Sequence, residues 1–387
     1  MLDLELQKSG LLSFISSAED CNAIQFKKKL PVKTGFFHAE ENQLEQLVNA
    51  IIQNVRKKYF PKKNNLIMKN VKIIKFLMNV LPNRPKYQEN HFVSEIFRHP
   101  KYTSLSQNEK ELLLEKLVNN NIIEERHKPF DLFYPSYSLK NIFKGKKVLD
   151  LGCGIGGTTI AMGEKWAVSE FFGIDVNQES INTANYFLPK YETDVQYKFI
   201  QGYAEKMPFE NDFFDAIVSQ DTIEHVRSVK ETLLECKRVL RKGGVAFLVF
   251  PSIKLPFGGA HVSSATRTPF LEWFFSPHTI NEAYQEIVKG WDDDLNWFKP
   301  TEETKGNWAV VKGGIGVNGT KYKDFISIVE EIGFNNISFV KIPLLYVSST
   351  GIKYPIIKFL FSILKPLLFI DYLKDYLSHR LVFILKK

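Results

Sequence analysis

The sequence predicts an α/β fold built on a doubly wound, mainly parallel sheet, and three observations support this class. A short apolar stretch at 146–151 is followed at once by a glycine-rich segment, 152–157, and then by a helical pattern at 157–166. Strand and helix patterns alternate downstream, which is typical of parallel strands joined by crossover helices. The run 245–250 is apolar at every position, as expected for a central strand covered on both faces.

The remaining elements rest on local signals of the same kind. Further strands are expected at 170–176, 195–201, 214–219, 336–342 and 380–385. Further helices are expected at 178–188, 228–241, 279–288 and 321–332. Asn177 is expected to cap the first of these helices, and the pair Gly243 and Gly244 is expected to end the second.

The chain divides on the sequence into a mainly helical N-terminal domain, 1–140, and an α/β domain, 141–387. The α/β domain contains two insertions, 251–320 and 343–378, at which the alternation is interrupted. Long excursions at strand ends are where such folds build substrate pockets.

Within the N-terminal domain, helical patterns cover 40–59 and 66–81. Ser106 and Glu109 form a capping box ahead of a third helix. The asparagine run at 119–121 is expected to turn the chain into a short strand at 122–123. A helix, a turn and a short strand would make a winged-helix-like piece.

The glycine-rich segment indicates a nucleotide or nucleoside site at the start of a helix. Gly152, Gly154 and Gly157 satisfy G-x-G-x-x-G, which is typical of dinucleotide sites but weak on its own. Asp150 ends the preceding strand, and a carboxylate there would repel the pyrophosphate of NAD or FAD. It would suit a ligand that presents an ammonium group and no phosphate, such as S-adenosylmethionine.

Residues 144–250 resemble the class I S-adenosylmethionine-dependent methyltransferases through five segments in the same order. These segments are 148–157 (VLDLGCGIGG), 172–175 (FGID), 202–209 (GYAEKMPF), 214–226 (FDAIVSQDTIEHV) and 238–244 (RVLRKGG). The resemblance implies a Rossmann-like, seven-stranded mixed sheet whose last strand is antiparallel. It also implies that S-adenosylmethionine is the cofactor and that methyl transfer is the activity. N-terminal units in this family commonly make dimers or cover the substrate, so the resemblance implies a homodimer contact or a substrate cover for residues 1–140.

The resemblance also implies a set of cofactor-binding residues. Asp150 should face the methionine ammonium, and Asp175 should accept the ribose hydroxyls. Tyr203 departs from the family pattern, since many relatives carry at that place an Asp that accepts from the adenine amino group. A tyrosine can stack on adenine or donate a hydrogen bond, but it cannot accept as an anion. The predicted cofactor-binding residues are Asp150, Gly152, Gly154, Gly156, Asp175, Val176, Tyr203, Ala204, Glu205, Gln220 and Asp221.

Two histidines are candidates for proton transfer, and both assignments have a structural alternative. Glu224 and His225 match a Glu-His pair of the family, which either positions its loop or takes part in proton transfer. His261 follows the strand at 245–250 in a glycine-containing loop. It is either a general base for a protonated acceptor or a loop residue that only makes a hydrogen bond. No metal site is predicted.

The composition bears on the partners and on the cellular compartment. The net charge is +8, and the sequence has three widely spaced cysteines, which favours a reducing, cytoplasmic compartment. Basic, apolar segments at 56–86 and 352–370 indicate a peripheral membrane contact or a solvated basic face. Three lysines and two prolines in 352–370 argue against a spanning helix.

Several acceptors and functions remain open on the sequence. The fourth strand is followed by Gln220 and Asp221 rather than the Asn/Asp-Pro-Pro-aromatic motif of amino-base methyltransferases, so nucleic acid is disfavoured. The aromatic insertion at 251–320 favours a small-molecule or lipid-like acceptor. The alternative is a non-catalytic, membrane- or nucleic-acid-associated protein that retains the cofactor fold. An NAD(P)-linked oxidoreductase is a third hypothesis, which Asp150 disfavours.

Overall fold

The computed structural model describes residues 71–82, 96–97, 100–255, 265–289, 317–342 and 365–387. All of them belong to one compact unit, Val48–Lys387. Among these residues, no helix combines the length and the apolar composition that crossing a bilayer requires. The boundary expected at residue 140 stays a prediction.

The described residues form one seven-stranded sheet with the order β3-β2-β1-β4-β5-β7-β6. Its strands are β1 Lys147–Leu151, β2 Glu170–Asp175, β3 Gln196–Gln201, β4 Phe214–Gln220, β5 Leu240–Phe250, β6 Asn336–Phe339 and β7 Leu381–Lys386. Strands β1 to β5 are parallel, and β7 runs antiparallel to both of its neighbours, β5 and β6. The predicted α/β class and the antiparallel last strand are confirmed.

Helices cover both faces of this sheet. They are α1 Val71–Met78, α2 Pro100–Thr103, α3 Gln107–His127, α4 Leu139–Phe143, α5 Gly157–Trp166, α6 Gln178–Phe187, α7 Val229–Val239, α8 Leu271–Phe274, α9 Pro277–Val288, α10 Tyr322–Ile332 and α11 Asp371–Leu377. Short 3₁₀ turns lie at Phe130–Phe133, Leu188–Lys190 and Lys365–Phe369. The helix expected at 40–59 lies outside the described residues.

Successive residues of the central strands are buried in two separate cores, one on each face of the sheet. Val148 packs with residues of α3, α5 and α6, whereas Leu149 packs with residues of α7 and α10. This is the alternation that a β-strand imposes on its side chains. Because both faces are covered, apolar runs such as 245–250 are stable in this sheet.

Helix α3 differs from its prediction at its C-terminal half. Ser106 and Glu109 form the expected capping box, but the helix then continues to His127 without the turn and strand predicted at 119–123. The winged-helix-like expectation is therefore wrong at this place. Val118 and Ile122 are buried in the same core as α5, and this tertiary packing outweighs the weak turn preference of the asparagines.

The glycine pair after α7 also has a different role from the one predicted. The helix ends at Val239, and Gly243 and Gly244 lie within β5, where the pairing with β4 shifts register. Gly243 has a φ of 77°, and its N–H donates to the Lys387 carbonyl at 3.1 Å. The pair therefore forms an irregular start of β5 instead of a helix stop.

Candidate active site

The predicted site residues lie at the edge of the sheet where the parallel strands end. Leu151 of β1 lies beside Ile174 of β2, and Asp175 lies beside Gln201 of β3. In open α/β sheets, ligands bind outside these carboxyl ends, at the point where the strand order reverses. Here the order reverses between β1 and β4.

The three glycines of the turn after β1 have distinct surroundings. Gly152 has a φ of 86°, and a Cβ built there would lie 2.0 Å from the Thr222 hydroxyl oxygen. Gly156 has a φ of 80°, and a Cβ there would meet the Phe199 ring at 2.8 Å. Both positions require glycine for the protein's own packing.

Gly154 differs because no atom lies within 4 Å of a Cβ built on it, although its φ is 53°. Its backbone therefore borders open space at the carboxyl edge of the sheet. A ligand can lie against this backbone without meeting a side chain. Gly154 therefore leaves room for a ligand, whereas the surroundings of Gly152 and Gly156 are filled by the protein's own side chains. A cofactor contact of the three glycines stays a prediction.

Asp175 closes this space from the neighbouring strand. Its Oδ2 accepts a hydrogen bond from the Gly154 N–H at 2.9 Å, and its Oδ1 accepts from the Asn177 N–H at 2.8 Å. Burial raises the pKa of this carboxyl above its usual range, and the two backbone donors oppose that shift. Each oxygen retains a lone pair, so the carboxylate can still accept the hydroxyls of a ribose.

Asp150 is buried beneath the turn. Its Oδ2 accepts a hydrogen bond from the Thr159 hydroxyl at 2.5 Å. Burial raises the pKa of Asp150 to about 7, the Thr159 hydrogen bond opposes this shift, and the charge of Asp175 adds to it. A cationic ligand nearby would favour the ionised form. The contact with a methionine ammonium stays a prediction, and Thr159 is a partner that the sequence reasoning missed.

Two exposed side chains flank the ends of β2 and β3. Val176 and Tyr203 are both exposed, although both carry large apolar surfaces. The Arg227 guanidinium lies 5.4 Å from the centre of the Tyr203 ring. The Gln201 side-chain amide donates to the Val176 carbonyl at 3.1 Å, which ties the two strand ends together. This surface offers an apolar contact and an aromatic ring to a flat heterocycle.

The next two predicted residues face the protein itself. Ala204 packs against the core beneath α7. The Glu205 Oε1 accepts hydrogen bonds from the N–H groups of Arg227 and Ser228, at 2.6 and 3.3 Å. Glu205 therefore holds the segment that leads into α7, and a cofactor contact of either residue stays a prediction.

The loop after β4 is joined to the start of β7. Asp221 adopts a φ of 52°, which is uncommon for a residue other than glycine, and its N–H donates to the Val249 carbonyl at 2.8 Å. The Arg380 Nε donates to the Asp221 Oδ1 at 3.0 Å. Gln220 lies just before this bend, and its carbonyl accepts from the Thr222 hydroxyl at 3.2 Å.

Arg380 is a second residue that the sequence reasoning missed. The sequence indicates it only as the first residue of the last predicted strand, 380–385. The signal was nevertheless present, because an antiparallel last strand must begin at the edge where the parallel strands end. Its first residues therefore lie at this edge, beside the end of β5. The contact of Arg380 with the loop after β4 is visible only in the structure.

Glu224 and His225 lie together on this loop. The His225 Nε2 lies 3.7 Å from the Glu224 Oε1. Glu224 is buried, and neither of its carboxylate oxygens accepts a hydrogen bond from the described residues. Burial raises the pKa of Glu224 well above its usual range, the charge of Asp221 adds to this shift, and Arg380 opposes it.

Asn318, a third missed residue, holds this loop from the end of the first insertion. Its side-chain amide donates to the carbonyls of Ile223 and Val226 at 2.8 and 3.1 Å, and its N–H donates to the Glu224 carbonyl at 2.7 Å. Proton transfer by His225 stays a prediction. His261 lies outside the described residues, so its role as a base is also a prediction.

Comparisons with known proteins indicate a methyltransferase domain in the same part of the chain. Residues 149–248 match the family model of a methyltransferase domain. The chain is 31% identical over 215 residues to a sterol 24-C-methyltransferase of Candida albicans, which covers 50% of this chain and 57% of the relative. It is 29% identical over 167 residues to a ubiquinone biosynthesis O-methyltransferase of Dechloromonas aromatica, covering 43% of this chain and 62% of the relative.

Among solved structures, the YcgJ protein of Bacillus subtilis is 26% identical, with a TM-score of 0.29. That match covers 40% of this chain and 67% of the other. A TM-score of 0.29 is too low to support an inference about this chain. The chain spans about half the length of the curated relatives that it matches, with shares from 26% to 62%.

The sheet order, the glycine turn and the acid at the end of β2 agree with the sequence match over 149–248. Within the glycine turn, a Cβ built on Gly154 meets no atom within 4 Å. Residues 149–248 therefore have the sequence and the sheet order of a methyltransferase domain.

Proposed function

We propose that this protein transfers a methyl group from S-adenosylmethionine to a small or lipid-like acceptor by in-line displacement. The observation that carries the proposal is the open space beside Gly154, closed on one side by the Asp175 carboxylate. These two residues would hold the ribose and the sulfonium end of the cofactor. Val176 and Tyr203 would border the adenine.

The cofactor, when bound, supplies a methyl group that is already activated by its sulfonium. The residues of the chain then have to align the acceptor with that methyl group. Alignment of reacting groups can account for about 7–11 kcal/mol of barrier lowering. Asp221, fixed by Arg380 and by the Val249 carbonyl, would border the methyl group from the next strand end.

The acceptor is proposed from the relatives and from the aromatic content of the first insertion. One relative is named for sterols and another for the biosynthesis of ubiquinone. Sterols and ubiquinone are both lipid-soluble molecules. The described part of the insertion presents Phe270 and Trp273 in contact, with ring centres 4.7 Å apart. Trp273 also contacts Tyr376 of α11, at 5.6 Å between ring centres. Such aromatic walls suit an apolar acceptor better than a charged one.

His261 is proposed as the base for an acceptor that must lose a proton. The variant His261→Ala should then bind S-adenosylhomocysteine as the wild type does but lose turnover, by a factor of about 10²–10⁴. Unchanged turnover would remove this assignment. His225→Gln serves as the comparison, because His225 would be the base if His261 is not.

Calorimetry with S-adenosylhomocysteine and with NADH tests the cofactor directly. We expect binding of the first and none of the second, and the reverse result would refute the proposal. Methyl-labelled S-adenosylmethionine incubated with lipid and aqueous extracts then tests the acceptor, with label expected in the lipid fraction. Cofactor binding without transfer to either fraction would favour the non-catalytic alternative. A homodimer stays a prediction.

A further inference from the structure

Helix α1 is apolar on two opposite faces. Ile74 and Met78 are fully buried against α9 and the segment around Leu271. On the other side, Ile73 and Phe76 are 48% and 70% exposed at helical spacing. Val80, just beyond the end of the helix, is 54% exposed. Leu81 in the following turn is 49% exposed. We call Ile73, Phe76, Val80 and Leu81 the outer face.

This face belongs to a firmly attached segment. The Thr266 hydroxyl donates to the Met78 carbonyl at 2.8 Å, and the Thr268 hydroxyl donates to the Leu77 carbonyl at 2.7 Å. The Arg267 N–H donates to the Leu81 carbonyl at 2.7 Å. The carbonyls at the end of α1 are therefore satisfied by the first insertion, and the outer face is held in a fixed orientation.

Single exposed apolar side chains are normal on protein surfaces, but a continuous stripe of large ones is not. Here four of the nine residues from Ile73 to Leu81 are large, apolar and about half exposed or more. Ile74 and Met78, on the opposite side, already account for the packing of α1 on the protein. The stripe therefore indicates a surface that is covered by another body.

The charges around the outer face indicate the nature of that body. Lys72 is exposed beside it, and Lys75 reaches back to the Glu286 carboxylate of α9 at 2.8 Å. The sequence between Glu45 and Glu89 contains no acidic residue and ten lysines and arginines. Apolar side chains within a one-signed basic stretch complement a surface of acyl chains beneath anionic headgroups.

We propose that the outer face of α1 rests on an anionic lipid surface, with Phe76 inserted and Lys72 at the headgroups. A nucleic acid would match the lysines but leave the apolar stripe unused. A second protein copy would match the stripe but would bring the same basic charge against itself. The lipid surface matches both features. This inference does not depend on methyl transfer, because docking is measured without cofactor or acceptor.

The test is co-sedimentation of the full chain with phosphatidylcholine vesicles that either contain or lack phosphatidylserine. We expect binding only with phosphatidylserine, weakened by salt, since surface charges are screened. Phe76→Ser should lower the partition coefficient about tenfold or more, because the ring would otherwise be buried in the lipid. Lys72→Glu should lower it as well, even though it leaves the apolar stripe intact.

Leu112→Ser is the matched control, since Leu112 is 68% exposed on α3, outside the basic stretch between Glu45 and Glu89. It should bind vesicles as the wild type does. Equal binding by Phe76→Ser and the wild type, or equal loss in both serine variants, would overturn the proposal. So would a dimer in light scattering that only Phe76→Ser dissociates, or binding of an oligonucleotide in place of vesicles. Unchanged thermal midpoints show that the variants are folded.

Discussion

Replacing Gly154 by alanine tests the central feature of the proposed site. The alanine Cβ would meet no protein atom within 4 Å, so the change adds a methyl group only to the space that we propose for the cofactor. The φ of 53° makes alanine strained by about 1–2 kcal/mol, which lowers the stability modestly. Placing an extra methyl group in a filled contact costs about 1–3 kcal/mol. We therefore expect affinity for S-adenosylhomocysteine to fall about ten- to a hundredfold.

Gly145→Ala is the matched control for this experiment. Gly145 has a φ of 67° and equally has no atom within 4 Å of a built Cβ, but it precedes β1 at the opposite edge of the sheet. Thermal unfolding should show a similar small loss for both variants, whereas calorimetry should show weaker binding for Gly154→Ala alone. If Gly154→Ala binds S-adenosylhomocysteine as tightly as Gly145→Ala, the cofactor does not lie against Gly154.

Two further predictions concern carboxyl groups whose pKa is raised by burial. Asp175→Asn can still accept from one backbone N–H but loses the negative charge. Calorimetry should therefore show about ten- to a hundredfold weaker binding of S-adenosylhomocysteine. An unchanged affinity would exclude a ribose contact. Burial raises the pKa of Glu125 from 4.5 to about 8, so the folded state binds the extra proton and its stability falls as the pH rises between these values. Glu125→Gln, which can still accept from the Phe130 N–H, should reduce this slope in urea unfolding by up to about 1.4 kcal/mol per pH unit, and an unaltered slope would contradict the assignment.

The fold could be predicted because its strongest signals are local. The apolar run at 245–250 and the glycines after β1 each require a particular backbone, and the described sheet has both where the sequence indicated them. The turn expected after Val118 failed because the preference of asparagine for turns is weak, whereas burial against α5 depends on residues far along the chain. Gly243 was misassigned for a similar reason, since its pairing with Lys387 joins distant segments.

The candidate site was predictable in its cofactor half and much less so elsewhere. Asp175 and Gly154 lie within one strand–turn–helix unit and its neighbour, where spacing along the chain reflects position in space. Arg380 reaches Asp221 across 159 residues, and Asn318 reaches Ile223 across 95. Neither contact follows from spacing. The first contact depends on how the side chain of Arg380 crosses the end of β5, and the second on where the first insertion returns to the sheet.

The position of β7 constrains the order in which this sheet can form during synthesis. Strand β6 pairs with β7 at the sheet edge, and β7 pairs in turn with β5, yet β7 follows both of them in the chain. A nascent chain that ends after β6 therefore exposes the apolar edge of β5 and has no partner strand for β6. Unpaired strand edges of this kind favour aggregation. The sheet is therefore complete only when residues 381–386 have been synthesised and have paired with both strands.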